Sequence, residues 1–376
     1  MDTRYHSFRF LHGGAQPPPT TFAALRVLNI GCSVFHVSEM ERLISSLCPR
    51  LQDLTLQTYF ELEGVFNFSV RSETLERLDL RVSRVNGRLT VEAPRLVRLA
   101  VSEIFITPSL DPQHAARIAA PKLAEVSWYD VYDALRHQFV VAPRRLRKLQ
   151  VRTCYMDERN MRWSKLAAGL LQRFDAVDEL ELDLDIVIGQ IPYKLFLKDT
   201  AKLPECKVLK IRFISNCSEL QHCASSTVMH LISKCTGITR LDIRLDRSLW
   251  FRQIGENLQQ ITCPTFRNRR GENNCPCWQP EDEITDGIIL DSLEELYIIN
   301  FTGADDEVDM VKLLLRCKLI PRRVAFRLPN DMNNEMCEKV REKITSLFLP
   351  NTKLEIYWNR TLLQKSKSIG IPNLFG

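Results

Sequence analysis

The stretch Leu75-Glu76-Arg77-Leu78-Asp79-Leu80 decides how the chain folds. Apolar residues stand at its first, fourth and sixth places, with polar ones between. The same phrase recurs as Leu25/Leu28/Ile30, Leu51/Leu54/Leu56, Leu96/Leu99/Val101, Leu123/Val126/Trp128 and Leu146/Leu149/Val151. It continues as Val177/Leu180/Leu182, Cys206/Leu209/Ile211, Ile238/Leu241/Ile243 and Leu293/Leu296/Ile298, which makes ten copies. The fourth and sixth places are two apart and so share one face of a short strand, while the first place turns inward just before it. One such unit cannot bury that face alone.

Starts of the copies fall 21 to 32 residues apart, except for one gap of 55 before Leu293. That period is the period of an irregular α/β leucine-rich-repeat solenoid, a horseshoe with a parallel concave sheet and outer helices. Cys48-Pro49-Arg50-Leu51, Ala93-Pro94-Arg95-Leu96, Ala120-Pro121-Lys122-Leu123 and Ala142-Pro143-Arg144-Arg145-Leu146 place a proline just ahead of the strand, where no ladder donor is needed. Ser38-x-x-Glu41 reads as a capping box before Met40, Leu43, Ile44 and Leu47 at helical spacing. Helices are expected over Asp157–Phe174, Ser226–Lys234, Asp305–Arg316 and Asn334–Leu347, and strands over Val324–Leu328 and Leu354–Trp358. The organisation reads as a flexible lead-in at 1–22, a solenoid at 23–284 with an irregular loop at about 250–287, closing repeats at 285–358 and a tail at 359–376.

Composition narrows the function. With 45% hydrophobic and 26% charged residues, the 376-residue chain can fill a continuous core. A net charge of +5 from 51 basic and 46 acidic residues argues against a dedicated nucleic-acid binder. No apolar run approaches the roughly 18 to 20 residues that span a bilayer, and no secretory signal is read at the start. A cytoplasmic or nuclear protein with reduced thiols is the expectation for its twelve scattered cysteines, so the four Asn-x-Ser/Thr matches carry no meaning.

Several phrases resemble one known group. The repeated copies with their Pro-Arg-Leu entries, then Cys275-Pro276-Cys277, Leu293-Glu-Glu-Leu296-Tyr-Ile-Ile-Asn-Phe301-Thr-Gly303 and Asp309-Met-Val-Lys-Leu-Leu-Leu-Arg-Cys317, resemble plant F-box/leucine-rich-repeat proteins with a carboxyl-terminal FBD-type segment. The resemblance covers about Leu25 to Trp358, with residues 285–358 as the FBD-like part. It implies repeats that hold a protein target, while an F-box helix bundle docks on a Skp-type adaptor of a cullin ubiquitin ligase. Residues 1–24 lack the Leu-Pro opening and the three amphipathic helices of an F-box, which argues against adaptor and cullin docking through this chain. The position three past the last strand residue, usually Asn or Cys in regular repeats, is Ser33, Tyr59, Ser83, Ile104, Val131, Cys154, Asp185, Ile214, Asp246 and Phe301, which excludes an unbroken Asn ladder.

Binding is expected on residues that alternate with the core positions and face out from the concave sheet. Those carried forward are Tyr129, Lys148, Arg152, Glu179, Glu181, Asp183, Lys210, Arg212, Arg240, Asp242 and Arg244. A triple-acid strand (Glu179, Glu181, Asp183) between basic ones would select a partner of matching charge order. The opposing view is a solvated sheet whose charges satisfy their cross-strand neighbours.

Other constellations weigh less. Cys263, Cys275 and Cys277, or Cys217, His222 and Cys223, lack the paired spacing of a structural zinc site. Phe266 with Arg267, Arg269 and Arg270 offers a basic loop with a single aromatic, short of a nucleic-acid platform. No glycine-rich phosphate loop, H-E-x-x-H or G-x-S-x-G occurs. The expectation is a non-catalytic protein-binding module without cofactor or metal. The rivals are a small-molecule sensor, which needs a deep polar pocket, and a nucleic-acid-associated protein.

Overall fold

The computed structural model describes residues 6–7, 21–35, 37–60, 67–83, 87–105, 115–155, 167–186, 190–214, 224–235, 237–246, 288, 290–317, 321–348, 352–359 and 361–365. The chain divides into two compact units, Met1–Arg152 with Lys165–Val177, and Thr153–Ser164 with Asp178–Gly376.

The first unit contains β1 (His6–Ser7), β2 (Val27–Phe35), α1 (Val37–Arg42), β3 (Asp53–Phe60), β4 (Phe68–Arg71), β5 (Arg77–Ser83) and β6 (Arg88–Glu92). It continues through β7 (Arg98–Ser102), β8 (Ala115–Ala119), β9 (Glu125–Trp128), β10 (His137–Val141), β11 (Arg145–Tyr155) and α2 (Ala167–Arg173). The repeat strands pair in parallel in the order β1-β2-β3-β5-β7-β9-β11. Their register aligns the repeated leucines: Leu54 faces Leu78, Leu78 faces Leu99, and Leu99 faces Val126.

Three of the four proline entries form a tight turn. Leu51, Leu96 and Leu123 donate their N–H to the carbonyls of Cys48, Ala93 and Ala120 at 3.1 Å, and proline, with φ preset, holds the second place of that turn. Just beyond, one carbonyl of the preceding repeat accepts two successive N–H groups. Arg26 accepts from Gln52 and Asp53, Gln52 from Glu76 and Arg77, and Glu76 from Val97 and Arg98. At Leu51 and Leu96 turn and ladder therefore fix the same register. Leu51, Leu75, Leu96 and Leu123 are buried accordingly, and each contributes roughly 1.5 to 3 kcal/mol. Leu25, Leu28 and Ile30 are only half-buried, and β1 pairs with β2 further along, at Ser33 and Val34.

The outer layer of this unit departs from expectation. Between Phe68 and Val141 it consists of a second parallel sheet, in the order β10-β8-β6-β4, in place of helices. Phe68/Val70, Leu89/Val91, Ala116/Ile118 and His137/Phe139 point inward at period two, and segments of four or five residues are too short for a helix. The capping box also fails. Ser38 lies inside α1, and the Glu41 carboxylate accepts the N–H of Ser69 on β4 at 2.6 Å, linking two repeats. Met40, Leu43, Ile44 and Leu47 are buried as expected, although the helix widens to a π-helical turn at Leu43–Leu47.

The second unit contains β12 (Ala176–Ile186), α3 (Gln190–Asp199), β13 (Glu205–Ile214), α4 (Ala224–Lys234), β14 (Arg240–Asp246) and β15 (Glu295–Ile299). It ends with α5 (Asp305–Arg316), β16 (Arg323–Arg327), α6 (Asn334–Leu347), β17 (Leu354–Trp358) and β18 (Thr361–Lys365). The strands are neighbours in that order, and here the outer elements are helices. Val228, Leu231 and Ile232 of α4, Met310, Val311 and Leu314 of α5, and Cys337, Val340 and Ile344 of α6 bury one stripe each. α5 begins where Gly303 takes φ +78°, and Glu307 Oε2 accepts from Thr302 N (2.7 Å), Thr302 Oγ1 (3.0 Å) and Gly303 N (3.0 Å). Asn333 caps α6 by accepting the N–H of Met336 at 2.8 Å.

Part of the expected tail is instead a strand. β18 pairs antiparallel with β17, Trp358 facing Thr361, across a turn in which Asn359 takes φ +47°. Asparagine tolerates that conformation, and the hairpin gives the last parallel strand a hydrogen-bonding partner. Of the helix expected over 157–174, Ala167–Arg173 is observed and residues 157–166 lie outside the described residues. So do the boundary at 284/285, the loop at 250–287, both cysteine groupings and Arg267, Arg269 and Arg270.

Candidate functional site

Tyr129, Lys148 and Arg152 belong to the first unit, and the other expected partner-binding residues to the second. In the first unit the polar face is largely self-satisfied. Arg77 pairs with Asp53, and Arg147 with Glu125. Arg81 meets Glu103 at 2.6 Å, and Arg98 lies 4.0 Å from Glu125. The Arg152 guanidinium sits 5.0 Å over the Tyr129 ring, a cation–π contact. Burial raises the Asp79 carboxyl above the usual range, against the pull of Arg98 and Arg81.

Asp130, just past β9, replaces the missing asparagine ladder at this point. Its carboxylate accepts the N–H groups of Glu103 (2.7 Å), Ile104 (2.8 Å) and Phe105 (2.9 Å), which binds the turn after β7 to the next repeat. Beside it an aromatic cluster of Phe105, Trp128, Tyr132, His137 and Phe139 fills the core, with Phe105 and Trp128 stacked at 5.8 Å. A groove of ≈ 510 Å³ opens at its edge, between Tyr132, His137 and Phe139 on one side and Gly169 and Arg173 on the other. Arg173 Nη2 donates to the Phe139 carbonyl at 3.1 Å, and burial pushes the Tyr132 phenol up to about 12.

The second unit builds a denser arrangement. Leu241/Ile243, Leu296/Ile298, Val324/Phe326 and Leu354/Ile356 are buried, so the residues between them share the opposite face. Strand register sets Lys210, Asp242, Tyr297, Ala325 and Glu355 in one lateral row, and Arg240, Glu295 and Arg323 in the row below. Tyr297 lies between two guanidiniums, Arg240 at 4.4 Å and Arg323 at 5.3 Å from its ring. Arg240 also donates to Asp242, with Nε at 2.8 Å from Oδ1 and Nη2 at 3.0 Å from Oδ2. Arg323 donates to the Tyr297 hydroxyl at 2.6 Å, and to Glu355 Oε2 from Nε at 3.0 Å and Nη2 at 2.6 Å. The Tyr357 hydroxyl donates to that same oxygen at 2.7 Å.

Electrostatics follow from these contacts. The hydrogen bonds to Asp242 and Glu355 raise Arg240 and Arg323 respectively. Burial raises the Tyr297 phenol, and the bond to Glu355 raises that of Tyr357. Both tyrosines stay neutral at physiological pH, Tyr297 accepting from Arg323 and Tyr357 donating to Glu355, and the two arginines are fixed cations. The result is an aromatic and guanidinium surface held in place before any partner arrives.

Asp183 is the clearest departure among the expected site residues. It is 0% exposed, and Asp242, at 9%, is buried against Arg240, so neither carboxylate lies open to a partner. The triple-acid strand thus offers Glu179 and Glu181, of which Glu179 is held by Lys210 at 2.9 Å. Arg212 and Arg244 stand directly opposite each other. Tyr297, Arg323, Glu355 and Tyr357 were not among the expected residues, yet the alternation that marked Arg240 applies equally to Leu296/Ile298, Val324/Phe326 and Leu354/Ile356.

Comparison with known families adds one finding. Residues 3–139 match the family model described as FBD-associated F-box protein At5g56370, LRR repeats. No curated protein matches the chain. The matched segment covers β1 through Phe139 of β10, and the fold of stacked parallel strands is that of an α/β leucine-rich-repeat solenoid. Such repeats serve in general as protein-interaction frameworks, and are typically non-catalytic. Among the described residues, no helix is long and apolar enough to cross a membrane, and no group of three or more His, Cys, Asp or Glu could hold a metal.

Proposed function

We propose that this chain is a non-catalytic recognition module that binds a protein on the polar strand face of its second unit. It is related to the target-holding part of F-box proteins of cullin ubiquitin ligases, with residues 285–358 as an FBD-like segment, and it works in the cytoplasm or nucleus. The observation that carries the binding face is Tyr297 clamped between Arg240 and Arg323, each in turn anchored on a buried carboxylate. Tyrosine and arginine dominate the energetics of protein interfaces, because both offer large contact area and directional donors. Here their conformations are already restrained, so little side-chain entropy remains to be lost on binding.

A photo-reactive amino acid at Ile299, half-buried on this face, tests the proposal against one at Leu135, which is 86% exposed in the first unit. Capture of one identified protein at residue 299 and not at 135, repeated with that protein purified, supports it. Equal capture at both positions, or none at 299, contradicts it.

A further inference from the structure

Both arginines beside Tyr297 have their nitrogens engaged. Arg240 turns Nε and Nη2 to Asp242, and Nη1 to Glu295 at 3.8 Å. Arg323 turns Nε and Nη2 to Glu355, and Nη1 to the Tyr297 hydroxyl. Register explains the second arrangement. Ala325 stands between Tyr297 and Glu355 in one lateral row, and Arg323, two residues earlier on the same face, bridges those neighbours across the space that the small side chain leaves. A carboxylate arriving from outside would find every guanidinium nitrogen already turned to an acid or a hydroxyl, with Asp242, Glu295 and Glu355 close by to repel it. Yet 39% of the Arg240 side chain and 34% of the Arg323 side chain remain exposed. With its edges engaged, each guanidinium offers its flat.

We propose that these two planes receive aromatic side chains of the partner protein. The inference rests on the recognition surface proposed above and names the chemistry of the segment it takes. A guanidinium held by carboxylates at its edges keeps its charge, is weakly hydrated, and complements the negative face of an aromatic ring. Apolar surface adjoins both planes. Val208 on β13 is half-buried opposite Arg240, and Ile299 and Tyr357 are half-buried in the row beyond Arg323, on either side of Arg327. A nucleic acid fits less well. Its bases could stack here, but its phosphates would approach Glu295, whose side chain is 36% exposed on the same face.

Fluorescence anisotropy on the full chain tests this with labelled probes: a Gly/Ser peptide carrying phenylalanines, its counterparts with cyclohexylalanine or glutamate in their place, and a single-stranded RNA. Cyclohexylalanine matches phenylalanine in shape and is more apolar, but it lacks the ring's negative face. The phenylalanine peptide is therefore expected to bind roughly fivefold more tightly, with little dependence on salt. Arg240→Lys keeps the charge and the pairing with Asp242 but presents no plane. It should lower that ratio to about twofold or less, with the melting temperature close to that of the parent. The parent protein alone can refute the proposal, through equal or weaker binding of the phenylalanine peptide than of the cyclohexylalanine one, or tighter binding of the glutamate peptide or the RNA. An unchanged ratio in folded Arg240→Lys protein would overturn it as well. The two readings separate cleanly. Capture at Ile299 of a protein whose affinity is unaltered by Arg240→Lys would sink the stacking inference alone, whereas no capture at all would sink the recognition surface itself.

Discussion

Arg323 grips Glu355 through two nitrogens, Nε at 3.0 Å and Nη2 at 2.6 Å from a single carboxylate oxygen. The Glu355 side chain is 6% exposed, so the ion pair ties β16 to β17 where the carboxylate has little water to fall back on. Removing the arginine leaves a buried charge without its cation. Arg323→Met is therefore expected to lower stability by about 1 to 3 kcal/mol, and Glu355→Gln by less, since the amide oxygen still accepts. Urea denaturation measures both, and a midpoint for Arg323→Met equal to that of the parent protein would refute the assignment.

Two glycines separate backbone strain from steric fit. Gly237 and Gly303 both take positive φ, +83° and +78°, but a Cβ at Gly237 would meet nothing within 4 Å, whereas at Gly303 it would lie 3.0 Å from Val340 Cγ2. Gly237→Ala should cost about 1 to 2 kcal/mol from the backbone alone, and Gly303→Ala more. Val340→Ala in the Gly303→Ala background should return the excess only. Equal losses at the two glycines would show that α6 does not press on the turn before α5.

His230 gives the second unit a predictable acid sensitivity. Burial, aided by Lys234, holds its imidazole down at about 4, and the ring meets Thr200 Oγ1 at 2.9 Å. The Thr200 hydroxyl donates to the Phe196 carbonyl at 2.6 Å, so it accepts from Nε2–H of a neutral ring. The unfolded chain takes up this proton near pH 6.5 and the folded one only near pH 4, so the unfolded state binds more protons in that window. Stability should fall as pH drops from 6.5 to 4, by about 3 kcal/mol from this residue. His230→Gln should flatten that part of the profile. A profile identical to that of the parent would place the ring in contact with solvent.

Leu180, on β12, is wholly buried. Leu180→Asp sets a charge in the shared core and should cost at least about 3 kcal/mol, with adjacent repeats losing cooperativity first. A single sharp melt at the parent temperature would remove Leu180 from the core.

The repeat strands were legible because one spacing served three purposes at once. The fourth and sixth residues define a face, the proline fixes the entry turn, and parallel register repeats both, so Leu54, Leu78, Leu99 and Val126 could be aligned from sequence and are aligned in the fold. The outer layer was less legible. Segments such as Leu89-Thr90-Val91 are short enough that neither period is distinct, and only stacking on β4 and β8 makes them strands. Burial of Asp183 could not be read either, because alternation assigns a face and says nothing of what packs against it. Asp130 illustrates the same limit: one place before the usual ladder position, it does the ladder's work by accepting three backbone N–H groups.

The most direct test of the central claim is the affinity of the purified partner for the parent protein and for Tyr297→Ala, measured by calorimetry at one salt concentration. If the clamped tyrosine is the heart of a protein-binding surface, its loss should weaken binding by roughly thirtyfold while the melting temperature stays within a few degrees. An unchanged dissociation constant in a folded Tyr297→Ala protein would contradict the account.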